Sequence, residues 1–109
     1  NYCGLPGDKY HAVAEKYLPN GSCGVVSFGV KGGREAAAAF MGHLKIAAIE
    51  THVADARTCC LHPASSTHRQ MNDEQLIAAG VQPDLVRMSC GLEDKNDLIH
   101  DIAQALDQI

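Results

Sequence analysis

Along Cys23 to Val30 the side chains Val26, Phe28 and Val30 alternate with Val25 and Ser27. A period of two predicts a strand over residues 23–30 with one face turned to a core. Ahead of it, Val13, Ala14, Tyr17 and Leu18 recur at helical spacing after an N-cap at Asp8, and Pro19 with Asn20-Gly21 closes that helix in a turn. Residues 1–8 hold two glycines and a proline and read as an irregular arm. After the Gly32-Gly33 break, Ala37, Phe40, Met41 and Leu44 give the stripe of a second helix, about residues 34–43. Lys45 to Ile49 reads as a short apolar strand, and Arg57 to Leu61 as another that His62-Pro63 stops, because proline donates no ladder hydrogen bond. Asn72 caps a short helix over 72–79 closed by Gly80. Asp84 to Cys90 is a strand, and Glu93, Asp94 and Asp97 crowd the start of a last helix, where the dipole favours negative charge. Its apolar positions are Leu98, Ile99, Ile102, Ala105, Leu106 and Ile109.

Four strands and four helices in this order predict an α/β two-layer sandwich: one roughly four-stranded, mixed or antiparallel sheet with its helices on one face. In the strand 84–90, alternation puts Val86, Met88 and Cys90 toward the helices and Leu85, Arg87 and Ser89 on the opposite face. Arg87 in mid-strand requires a partner. Its planar guanidinium suits a carboxylate gripped through two parallel hydrogen bonds, and it equally suits a neighbouring surface Asp or Glu.

Composition narrows the classes. With 109 residues, 46% hydrophobic and 20% charged, the chain is an ordinary single globular domain rather than a disordered one. A net charge of −4 with nine scattered Lys and Arg lacks the basic stripe of a nucleic-acid partner. No apolar run approaches the roughly 18 residues of a membrane span, and no signal peptide is visible. The cysteines Cys3, Cys23, Cys59, Cys60 and Cys90 are odd in number. Cys59, Cys60 and Cys90 fall in core strands, where a thiol is a small inert hydrophobe, so a reducing cytoplasmic setting is expected. The group Cys59, Cys60, His62 and His68 lacks zinc-ligand spacing, since adjacent strand residues point to opposite faces. Gly32-Gly33 before a helix is a turn without the surrounding pattern of a phosphate loop. Ser65-Ser66-Thr67 is ordinary turn and cap chemistry. On residues alone the chain is a two-layer α/β domain of open function.

Four segments taken together carry more. His62-Pro63-Ala64-Ser65-Ser66-Thr67-His68 resembles the HPASxTH signature of the cystathionine gamma-synthase family of pyridoxal-phosphate enzymes. Leu85 to Asp94 is similar to that family's LxRLSxGxED run, and Asp97-Leu98-Ile99 with Asp101-Ile102 continues it. Asn1-Tyr2, Gly4-Leu5 and Tyr10-His11 resemble the stretch that leads from its large domain into its small one. Val26-Ser27-Phe28 with Lys31-Gly32-Gly33 resembles the first strand and turn of the small domain. Within the family, Ala78 to Val81 with Pro83-Asp84, and Lys31 to Ala36, are similar to the O-acetylhomoserine sulfhydrylase branch; methionine gamma-lyase and the cystathionine lyases and synthases are the near alternatives.

The resemblance implies the C-terminal small domain of a fold-type I enzyme, with residues 1–20 as interdomain arm and helix and 21–109 as the domain itself. It implies pyridoxal phosphate in the parent enzyme, bound by a large domain that is not in this chain. None of Lys9, Lys16, Lys31, Lys45 and Lys95 stands in the family's SxTK context, so the chain alone is expected to be inactive and to bind no cofactor. The implied partners are that large domain, a small-molecule substrate and other copies in a homo-oligomer, a tetramer by resemblance. The implied site residues are Arg87, which matches the family's clamp on the substrate α-carboxylate, and His52. His52 stands in His52-Val53-Ala54-Asp55-Ala56, where the family has SLGDA or NxGDA, at the Ser or Asn position that faces the same carboxylate, and Ala54 stands where the family has Gly. The reading from another class is a stand-alone binding module without catalysis.

Overall fold

The computed structural model describes residues 1–109. The order is α1 (His11–Tyr17), β1 (Val25–Gly29), α2 (Gly33–His43), β2 (Ala48–Ile49), β3 (Cys59–Leu61), a 3-10 turn (Pro63–Ser65), α3 (Asp73–Ala78), β4 (Leu85–Ser89) and α4 (Lys95–Leu106). The four strands form one mixed sheet in the order β1-β4-β3-β2. β4 is antiparallel to both β1 and β3, and β2 runs parallel to β3. This is the two-layer α/β arrangement expected from the sequence. No helix is long and apolar enough to cross a membrane.

The core lies between the sheet and the helices α2 and α4. Phe40, Ala37, Met41, Val30, Ala47, Cys60, Val86, Met88 and Ala105 are buried together. The Phe28 ring meets Phe40 edge-on, with centroids 5.8 Å apart at 83°. That arrangement suits the ring quadrupoles and adds about 1 kcal/mol to the burial itself. Register explains the faces. Met88 pairs with Val26 and Cys60, and all three belong to the helix side; Arg87 pairs with Ser27 and Leu61 on the other side.

Several boundaries differ from the sequence expectation, each for a local reason. The strand expected at 45–49 shrinks to Ala48–Ile49, because the Asp101 carboxylate takes the N–H groups of Lys45, Ile46 and Ala47. The strand expected from Arg57 starts at Cys59: the Arg57 N–H donates to Asp55 and the Thr58 N–H to Glu93. Asp8 does not cap α1. Its carboxylate accepts from the Tyr10 N–H at 2.8 Å, making an Asx turn one step ahead of the helix. Asn72 does cap α3, in a reciprocal box with Gln75. Cys90 is a correction: it lies just past β4 and is exposed, whereas Cys59 and Cys60 are buried. In α1 only Ala14 of the expected stripe is buried, and Val13, Tyr17 and Leu18 are exposed.

Candidate functional site

The sheet face away from α2 and α4 is only partly covered. The connection from β2 to β3, residues 50–58, folds back over its β4 end at two points. Thr51 and His52 present their carbonyls to Arg87, whose Nη2 donates to them at 2.7 and 3.4 Å. The Ala54 N–H donates to Ser89 Oγ at 3.0 Å. Arg87 and Ser89 stand two residues apart on one strand, so they face the same way and meet the same loop.

Beside Arg87 the face opens into a cleft of about 580 Å³. Val25, Leu61 and Leu85 give it an apolar floor, and Thr67 and His68 stand on its rim. The His68 ring nitrogen Nδ1 is 2.9 Å from Thr67 Oγ1. Arg87 Nε is buried and has no hydrogen-bond partner. A guanidinium N–H without an acceptor in a buried place costs about 1–3 kcal/mol. No Asp or Glu lies within ion-pair distance of Arg87; the chain's ion pairs are His11–Glu15, Arg34–Asp73 and His52–Asp55.

The sequence-derived site residues are thus placed differently. Arg87 projects from mid-strand into the cleft. His52 is exposed, with its ring Nδ1 3.5 Å from Asp55 Oδ2, and it touches Arg87 through its carbonyl. Cys59, Cys60, His62 and His68 form no cluster of metal-ligand geometry. His62 is buried instead as a structural tie, its ring nitrogens meeting Ser65 Oγ at 2.9 Å and the Pro83 carbonyl at 2.8 Å. Thr67 and His68 line the cleft as well, and Ser89 meets the loop beside it, without a sequence signal that marked them. The first two follow from pairing: Leu61 stands opposite Arg87, so the turn that leaves β3 must emerge beside it.

Two further features hold the loop ends. Glu93 accepts from the Thr58 N–H and hydroxyl, each at 2.7 Å. These bonds hold its carboxyl below the ordinary glutamate range, against the opposing effect of burial. The Thr58 hydroxyl in turn accepts from the Gly91 N–H at 2.9 Å. Gly91 itself is required: a Cβ there would lie 2.5 Å from the Arg57 carbonyl carbon and from the Thr58 nitrogen. Arg34, at the start of α2, donates to Asp73, to the Ala64 carbonyl and to the Met71 carbonyl, tying down the segment that carries Thr67 and His68.

The cleft does not fit pyridoxal phosphate bound covalently by this chain alone. All five lysines are exposed and none lines it.

Comparison with known proteins places this geometry in context. The sequence model of the family described as Cys/Met metabolism PLP-dependent enzyme matches residues 1–107. O-acetyl-L-homoserine sulfhydrylase 1 of Thermus thermophilus is 44% identical over 106 residues, 97% of this chain. Homocysteine synthase of Schizosaccharomyces pombe is 44% identical over 107 residues, 98% of this chain. The chain spans about a quarter of the length of these relatives (25% of each). Among solved structures, a Campylobacter jejuni protein described as an O-acetylhomoserine (thiol)-lyase superposes with a TM-score of 0.85 at 34% identity, covering 98% of this chain and 25% of its own. That crystal structure contains N'-pyridoxyl-lysine-5'-monophosphate.

Proposed function

Because this chain belongs to the family of Cys/Met metabolism PLP-dependent enzymes, we propose that it is the substrate-carboxylate-binding domain of an O-acetylhomoserine sulfhydrylase. The complete enzyme exchanges the acetate of O-acetylhomoserine for sulfide or a thiol, releasing homocysteine or methionine and acetate. Pyridoxal phosphate is held by a part of the enzyme outside this chain, a reading supported by the lack of a lysine among the cleft residues. Two relatives named for this reaction support the assignment, the Thermus protein and O-acetyl-L-homoserine sulfhydrylase of Leptospira meyeri, 42% identical over 110 residues.

The observation that carries the reading is Arg87 itself, which lines the cleft and has no Asp or Glu partner in the chain. Nη2 is already engaged by the Thr51 and His52 carbonyls, which fixes the plane of the guanidinium. A carboxylate entering the cleft completes the donor set and becomes fixed in orientation. The apolar floor of Val25, Leu61 and Leu85 excludes water around that contact and strengthens it. Positioning of this kind turns binding into rate by presenting the amino acid in one geometry. His52 enters this reading through its carbonyl, which helps to hold the Arg87 guanidinium.

The test is steady-state kinetics of the complete enzyme. A charge-assisted contact of this type is worth about 2–4 kcal/mol, so Arg87→Ala is expected to lower kcat/KM for O-acetylhomoserine by roughly 30- to 1000-fold. Arg87→Lys recovers part of it, because a point charge lacks the planar fork. Near-normal kcat/KM in a folded Arg87→Ala enzyme refutes the assignment.

A further inference from the structure

The loop that grips Arg87 is itself held in a costly conformation. Ala54 is the only non-glycine residue with positive φ, at 60°. The left-handed region crowds a Cβ against the following carbonyl and costs an alanine roughly 1–2 kcal/mol. Something has to hold it there. The one side chain that bonds the Ala54 N–H is Ser89, at 3.0 Å, and Ser89 is only 1% exposed. Two and three residues upstream of Ala54, the same loop supplies the carbonyls that occupy Arg87 Nη2. Ser89 lies on β4, on the same face as Arg87 and two residues beyond it.

From these contacts we infer that Ser89 is a positioning residue for the carboxylate site. Its hydroxyl pins Ala54 in the left-handed conformation, the pinned loop keeps the Thr51 and His52 carbonyls on Nη2, and the Arg87 guanidinium that lines the cleft therefore keeps one plane. Without the pin, Ala54 relaxes toward negative φ and both carbonyls move. The guanidinium then loses its fixed plane, although its charge stays. Ser89 touches no substrate and acts through Arg87 alone. The inference rests on the reading of Arg87 as the carboxylate clamp.

The experiment uses the complete enzyme with its cofactor and four variants: Ser89→Ala, Arg87→Ala, the double variant of the two, and Ser89→Ala combined with Ala54→Gly. Ser89→Ala is expected to raise KM for O-acetylhomoserine about tenfold with kcat within about twofold, the scale of one lost buried hydrogen bond. In the Arg87→Ala background the same change adds nothing, since its effect passes through Arg87. Ala54→Gly recovers most of the Ser89→Ala loss, because glycine adopts positive φ without a pin. A merely structural Ser89 gives no such rescue. If Arg87→Ala leaves kcat/KM near normal, the clamp reading itself fails. If Arg87→Ala has its full effect but Ser89→Ala does nothing, or multiplies the Arg87→Ala defect, or is not rescued by Ala54→Gly, the pin is wrong and the clamp stands. Should Ser89→Ala fold poorly, the rescue by Ala54→Gly still decides: recovery of stability without recovery of KM overturns the pin.

Discussion

Asp101→Asn replaces a carboxylate by its isostere, and the hydrogen-bond geometry makes it a severe change. Oδ1 accepts from the Lys45 N–H at 2.8 Å and from Gln104 Nε2 at 3.1 Å. Oδ2 accepts from the N–H groups of Ile46 at 2.8 Å and Ala47 at 3.0 Å. Every position around the carboxylate is a donor. An asparagine amide, in either flip, points its own NH₂ at two of them. In the better flip Gln104 turns to the His43 and Asp101 carbonyls it already meets, and the Lys45 N–H is left without an acceptor. One charge-assisted bond is lost, at about 1.5–3 kcal/mol, and two others fall to neutral strength, at about 1 kcal/mol each. The sum is about 3–5 kcal/mol.

The loss is local to the α2–β2 connection, so amide hydrogen exchange in the complete enzyme reads it directly. Amides 45–47 are expected to exchange at least about a hundredfold faster in Asp101→Asn. The pH dependence has a definite sign. Burial raises the Asp101 pKa, but the three backbone N–H groups and Gln104 outweigh it, and the native carboxyl titrates below the ordinary range. Its stabilisation is therefore complete above the unfolded-state value, about 3.9, and is lost as pH falls through the lower native value. Asp101→Asn removes that acid-dependent component. Exchange at 45–47 within about threefold of wild type at neutral pH would refute the reasoning.

Three other outcomes follow from the same structure. Gly91→Ala meets backbone at Arg57 and Thr58, which cannot swing aside, so it is expected to destabilise by about 3 kcal/mol or more, measured by urea unfolding. Glu93→Gln leaves one of the two Thr58 donors without an acceptor; the variant should lose stability at neutral pH and show a flatter acid-unfolding profile, since the Glu93 pKa is lowered in the native state. Burial pushes the Cys60 thiol up to about 12, so iodoacetamide at pH 8 is expected to leave Cys60 unmodified in the folded enzyme and to label it in urea, which peptide mass mapping checks.

The pattern of the chain reveals the layers and the two sheet faces, because alternation in 84–90 and the 3.6-residue period of α2 record which side is buried; of the apolar stripe expected for α4 only Ala105 is buried, while Ile99, Leu106 and Ile109 are exposed. It reveals less about where elements begin. The edges at Lys45 and Arg57 are set by carboxylates distant in sequence: Asp101 lies 56 residues from Lys45, and Glu93 lies 35 from Thr58. No local pattern carries those contacts. Glu93 read as a helix-start charge, yet it turns back to Thr58, and Asp94 alone caps α4. The sheet face on which Arg87 stands was legible from strand alternation. The pinning of its loop by Ser89 was not, since a serine in a strand gives no sign of what crosses above it.

The central claim is that Arg87 binds the α-carboxylate of the amino-acid substrate, and paired inhibitors isolate that contact. L-norvaline and n-butylamine differ by the carboxylate, and each is titrated as a competitive inhibitor of the complete enzyme, wild type and Arg87→Ala. The account expects wild type to prefer norvaline by roughly 30-fold or more, on the scale of one desolvated bidentate contact, and Arg87→Ala to hold both within about threefold of each other. A folded Arg87→Ala enzyme that keeps the wild-type preference for norvaline would contradict it.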